Sequence, residues 1–139
     1  MAQSVREVMT SNPVCLPANT PIREAAKRMR ERDIGDVVVE RDGKLLGIVT
    51  DRDIVVRAIA QDKDVQSTDL ESICSQQVTS LSPDQTAEDA VRLMREKSIR
   101  RLPVVENGKV VGIVSLGDLA VEKDPRSVLG QVSAAAGNI

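Results

Sequence analysis

Apolar residues recur in two spacings along this chain, and both spacings occur twice. Ile22, Ala25, Ala26 and Met29 fall at i, i+3, i+4 and i+7, one face of a helix, and Ala87, Ala90, Val91 and Met94 repeat the pattern. Thr20-Pro21 precedes the first run and places proline at the expected first helical position. Each helix is followed by two short runs rich in β-branched residues: DVVVE and KLLGIV, then RLPVV and KVVGIV. Asp42-Gly43 joins the first pair and Asn107-Gly108 the second, and such dipeptides suit a tight hairpin turn. A short helix is predicted before each block, because Ser4 and Glu7, and Thr68 and Glu71, have capping-box spacing. A short extended piece follows it, around Val14–Leu16 and Val78–Leu81. A second helix closes each block, over 51–59 and 116–122.

The two blocks are copies of one another. The offset from Gly47 to Gly112 is 112 − 47 = 65 residues. The same offset carries Met29-Arg30-Glu31 onto Met94-Arg95-Glu96, Val39 onto Val104, and Asp53 onto Asp118 without a gap. An internal repeat of this kind sets the architecture before any single motif does. The predicted organisation is residues 1–66 for the first repeat with its polar linker, 67–125 for the second, and 126–139 for a tail with no counterpart. A repeat of about 55 residues buries little core alone, which favours two units packed sheet to sheet with pseudo-twofold symmetry.

Composition narrows the chemistry. The chain has 139 residues, 41% hydrophobic and 29% charged, an ordinary globular balance. Its net charge of −2 gives no general attraction to nucleic acid or to an anionic membrane. No apolar run approaches membrane-spanning length, no signal-peptide core is present, and a cytoplasmic protein is expected. There is no histidine, so the commonest general base and metal ligand is missing. There is no Phe, Tyr or Trp either, which removes aromatic stacking on bases. Cys15 and Cys74 lack CxxC spacing and read as small buried hydrophobes rather than zinc ligands or a disulfide. An enzyme, a resident metal and a nucleic-acid partner are all disfavoured.

The doubled phrases GIVTDRDI and GIVSLGDL hold the candidate chemistry. Thr50 and Asp53, and Ser115 and Asp118, stand three apart where a strand hands over to a helix. On one reading each pair is a capping box and nothing more. On the other, the helix start seats a phosphate, the hydroxyl donates to it, and the aspartate accepts from a ribose diol. Gly47 and Gly112, on the strand just before, would then give a ligand room for close approach.

Two copies of strand–helix–hairpin–helix, each ending in G-I-V-[TS]-x-x-D, resemble a pair of CBS domains, the Bateman module, over nearly the whole chain. The resemblance implies an α/β fold of two β-α-β-β-α repeats with clefts between them for adenosine-containing ligands such as AMP, ADP, ATP or S-adenosylmethionine. It implies ribose contacts from Asp53 and Asp118, and phosphate contacts from Thr50 and Ser115. The second phrase, with Arg100-Arg101-Leu102 before it, is similar to the nucleotide-sensing subunits of AMP-activated kinase, where a basic residue at the Arg101 position reaches phosphate; Arg100 and Arg101 are the candidate phosphate ligands, with a solvated pair at a strand start as the other reading. Arg52 is placed there too, with a solvent-facing side chain as the other reading. Val37, Val38, Leu102 and Pro103 are expected in the core, with edges lining the adenine slots. The small free-standing format also resembles actinobacterial hypoxic-response CBS proteins. The function so implied is a non-catalytic nucleotide sensor; the rival is an interaction scaffold with no nucleotide. A homodimer is expected through an apolar stripe of Ile54, Val55, Ala58 and Ile59, with an effector protein the sequence does not identify. The Asp118 side is expected to favour the more anionic ligand, because Arg100-Arg101 there align with Gly35-Asp36 in the first copy.

Overall fold

The computed structural model describes residues 3–76 and 79–123, so Val78 and the tail 126–139 lie outside the described residues. The elements in order are α1 (Val5–Val8), β1 (Thr10–Ser11), β2 (Cys15–Pro17), α2 (Ile22–Arg32), β3 (Asp36–Arg41), β4 (Lys44–Thr50) and α3 (Asp51–Asp53). After a 3₁₀ turn at Leu70–Ser72 come α4 (Ala87–Lys97), β5 (Arg101–Glu106), β6 (Lys109–Ser115) and α5 (Leu116–Lys123). The fold is mixed α and β with two three-stranded sheets, β2-β3-β4 and β1-β6-β5.

Each hairpin closes through the dipeptide predicted for it. Asp42 and Gly43 have φ of 54° and 76°, and Asn107 and Gly108 have 54° and 79°. Both central residues of each turn are left-handed, the type I′ geometry whose twist matches the strands. The hairpins keep equivalent registers, with Val39 opposite Gly47 and Val104 opposite Gly112.

The described residues divide into two units, one within 14–78 and the other made of 3–13 with 79–123. The division departs from the sequence reading at the lead-in segments. The helix before the first block does not join the first block. In the unit holding the second copy, β1 pairs antiparallel with β6, Thr10 opposite Ile113. Arg6 of α1 forms an ion pair with Glu106 at 2.7 Å. In the unit holding the first copy, Ser75 bridges Ile48, the equivalent contact 65 residues on and back. The 3₁₀ turn at 70–72 buries Leu70 there, with Ile73 and Cys74 just after it. Neither lead-in start has a side-chain cap; Asp69, not Thr68, occupies the second N-cap.

The core of the 14–78 unit includes Leu16, Ile22, Ala25, Met29, Val37, Val39, Val49, Ile54, Ala58, Leu70 and Ile73. The other unit's core includes Val5, Leu81, Ala87, Ala90, Met94, Leu102, Val104, Val114 and Leu119. The helix stripes are narrower than their sequence spacing, since Ala26 is exposed and Val91 only half-buried. Pro21 is the N-cap of α2 rather than its first residue. Beyond α3 the first copy continues as a π-turn, Ile54–Ala58, and a 3₁₀ turn, Ile59–Gln61, whereas α5 is α-helical throughout. The expected stripe on this segment splits: Ile54 and Ala58 are core, while Val55 and Ile59 are 55% and 58% exposed beside Val56. No helix among the described residues is long and apolar enough to cross a membrane.

Candidate functional site

β4 and β6 each end at a residue with a hydroxyl, and the chain turns directly into a helix. Thr50 is extended, with φ of −107° and ψ of 165°, and Asp51 already has helical geometry. The Asp53 amide donates to Thr50 Oγ1 at 3.1 Å, and the Thr50 amide donates to Asp53 Oδ2 at 2.9 Å. Ser115 and Asp118 repeat this at 3.1 and 2.9 Å. The capping-box reading is therefore realised at both phrases. A third box, Thr86 with Asp89, opens α4 with the same geometry and no glycine-bearing strand before it. Reciprocal capping alone thus does not mark a site.

The boxes leave part of each pair available. A hydroxyl that accepts one amide still has its proton to donate. Each carboxylate keeps Oδ1, which the box does not use. Asp53 Oδ1 lies 3.7 Å from Arg57 Nε, and the Asp53 side chain is 19% exposed. Arg57 Nη1 also donates to the Ile73 carbonyl at 3.2 Å. Arg57 escaped the sequence reading, although its i,i+4 spacing from Asp53 is a standard helical ion-pair signal.

Sheet register brings the other candidates to the same ends. Arg101 stands opposite Ser115 and Leu102 opposite Val114, as Asp36 stands opposite Thr50 and Val37 opposite Val49. The Leu116 amide donates to the Arg100 carbonyl at 2.8 Å, as the Asp51 amide does to that of Gly35 at 3.0 Å. Arg100 is exposed and Arg101 half-buried. Arg52 is exposed on the first turn of α3, and its amide bonds the Asp51 side chain at 2.8 Å. Val37, Val38, Leu102 and Pro103 are all buried.

Gly47 and Gly112 have a different partner from the expected ligand. A Cβ at Gly47 would lie 2.1 Å from the Ser75 carbonyl oxygen. One at Gly112 would lie 2.5 Å from Met9 Sδ and 2.9 Å from the Thr10 carbonyl oxygen. The room these glycines make is filled by the lead-in segments. Glycine inside a strand was the available signal, and what approaches it is the chain itself, backbone of Ser75 at Gly47 and the Met9 side chain with Thr10 backbone at Gly112.

A shallow depression of about 320 Å³ lies in the 14–78 unit, lined by Pro17–Asn19, Glu40–Asp42 and Glu71. It sits at the hairpin end of β3 and β4, the opposite end from Thr50. Glu71 pairs with Arg41 across it. Burial, reinforced by Glu40, pushes the nearby Cys15 thiol up to about 11, and burial also raises Cys74.

A family model described as the CBS domain matches residues 5–59 and 70–123. The CBS domain-containing protein YhcV of Bacillus subtilis is 42% identical over 120 residues, which is 86% of this chain and 85% of that one. Hypoxic response protein 1 of Mycobacterium tuberculosis is 29% identical over 118 residues, 84% of this chain and 82% of that one. Among solved structures, the CBS domain pair of protein MJ0100 in complex with 5′-methylthioadenosine and S-adenosyl-L-methionine is similar with a TM-score of 0.81. The identity there is 28%, over 91% of this chain and all of that one.

Proposed function

Because the chain belongs to the CBS-domain family and carries the domain twice, we propose that it is a non-catalytic regulatory module that binds an adenosine-containing ligand. The ligand class proposed is AMP, ADP or ATP, with S-adenosylmethionine as the near alternative. Asp53 and Asp118 accept from the ribose diol, and Thr50 and Ser115 donate to phosphate. The observation that carries this reading is the doubled strand end, where a hydroxyl proton and a carboxylate oxygen are both left over from the capping box. The adenosine-type ligands held by the MJ0100 pair support the ligand class.

Register supports a difference between the motifs. Arg101, across from Ser115, brings a guanidinium beside one phosphate seat, whereas Asp36, across from Thr50, brings a carboxylate beside the other. A charge-assisted bond contributes roughly 1.5–3 kcal/mol, so the Asp118 motif takes the more anionic ligand. Arg100 and Arg52, both exposed, supply further positive charge near Asp118 and Asp53 respectively. The exposed Val55, Val56 and Ile59 are the proposed homodimer contact. The scaffold reading keeps one specific support: Thr86 and Asp89 form the same box at an ordinary helix start.

Calorimetry decides between them. Asp118→Asn keeps an acceptor for the Ser115 amide, so the cap survives while the carboxylate is lost. A loss of about 2 kcal/mol, roughly thirtyfold in dissociation constant, is expected for AMP. If AMP, ATP and S-adenosylmethionine all fail to bind the folded wild-type protein at millimolar concentration, the scaffold reading replaces the sensor.

A further inference from the structure

Arg57 distinguishes the two motifs in a way that the doubled phrases do not. Its Nε lies 3.7 Å from Asp53 Oδ1, the oxygen the capping box leaves over. The guanidinium is also held from the other side, since Nη1 donates to the carbonyl of Ile73, a residue only 1% exposed. That buried anchor keeps the cation beside the carboxylate, where a free surface arginine would wander. The position 65 residues later is Glu122, so one turn beyond Asp118 the sequence carries the opposite charge.

We propose that Arg57 is a specificity-determining residue of the Asp53 motif, competing with a ribose diol for the Asp53 carboxylate and so weakening that motif for neutral nucleosides. This rests on the ribose-binding reading of Asp53. Two vicinal hydroxyls need acceptor sites on both carboxylate oxygens, and in the first motif one of these already faces a cation. The motif therefore gives up part of that ion pair each time it takes a diol. Exposed ion pairs of this kind are weak and salt-screened, so the expected effect is modest and has a distinctive signature: uptake of an uncharged ligand becomes dependent on salt.

The test uses adenosine, which has the diol and no phosphate, and the full-length Asp118→Ala protein, in which only the first motif remains. Calorimetry should show adenosine binding that tightens as sodium chloride rises from about 0.05 to 0.5 M, because salt screens the competing pair. Adding Arg57→Met, which keeps the aliphatic stem, should lower the dissociation constant about two- to fivefold at low salt and abolish the salt dependence. Unchanged or weaker binding in folded Arg57→Met protein overturns the proposal. If the Asp118→Ala protein takes up no adenosine while the wild type does, the proposal falls and the reading of the Asp118 motif stands. If the wild type binds neither adenosine nor AMP nor ATP, the reading beneath the proposal falls with it.

Discussion

Replacing Gly47 by alanine separates a seat for the chain from clearance for a ligand. The added Cβ would stand 2.1 Å from the Ser75 carbonyl oxygen and 2.9 Å from its carbon. A carbon and a carbonyl oxygen are comfortable at about 3.3 Å or more, so the Ser75 backbone has to retreat by about 1 Å. The Ser75 amide donates to the Ile48 carbonyl at 3.3 Å, near the limit for such a bond, and a retreat of that size breaks it. Overpacking costs roughly 1–3 kcal/mol and the lost bond about 1, giving a destabilisation of about 2–4 kcal/mol. With a slope near 2 kcal/mol per molar urea, the midpoint for the 14–78 unit should fall by about 1–2 M. Gly43→Ala is the control. Its φ is +76° with nothing within 4 Å of the new atom, so only conformational strain of about 1–2 kcal/mol applies. The assay is urea unfolding followed by far-ultraviolet circular dichroism. A Gly47→Ala protein as stable as wild type but impaired in adenosine-ligand binding would refute the seat and restore the ligand-clearance reading.

Ile54→Ala should cost about 2–4 kcal/mol because the side chain is buried, whereas Ile59→Glu should leave the fold within about 0.5 kcal/mol and shift light scattering toward the monomer. Unfolding of the Ile59→Glu chain would place that residue in the core instead. Cys15 should stay a thiol well above the ordinary range; its folded pKa of about 11 exceeds the unfolded value of 9.0. Its stabilising contribution is thus whole below 9.0 and is lost as pH rises toward about 11, a trend that Cys15→Ser should flatten in urea titrations. A fragment of residues 14–76 should unfold more cooperatively than one of residues 1–66, which lacks the core residues Leu70, Ile73 and Cys74; a sharper transition in 1–66 would overturn the unit boundary.

Local chemistry was legible in the sequence wherever it determined the outcome. Asp42-Gly43 and Asn107-Gly108 announce their hairpins because few other dipeptides tolerate two left-handed residues in succession. The helix faces of Ile22, Ala25 and Met29, and of Ala87, Ala90 and Met94, follow from spacing. The strand-end boxes of Thr50 and Ser115 could be written down from spacing, but capping and ligand binding ask for the same residues there. The partner of α1 could not be read. Ser4 and Glu7 predict a helix locally, yet the burial of Val5 is decided by β6 and α4, about a hundred residues away. Gly47 and Gly112 pointed to a close approach without naming what approaches. The π-turn at Ile54–Ala58 has no sequence signal that distinguishes it from α5.

The lead-in exchange sets a clock on the nascent chain. Ser75 meets Ile48 after only 75 − 48 = 27 further residues are made, but Thr10 waits for Ile113, 113 − 10 = 103 residues later. At roughly 5–20 residues per second, that is a delay of about 5–20 s for β1. For the last 113 − 78 = 35 residues of that wait, the 14–78 unit has its described strands and core residues, while Val5 and Met9 remain uncovered. A segment made before the 14–78 unit is therefore folded after it, and a chaperone or a rare-codon pause would act most strongly on residues 3–11.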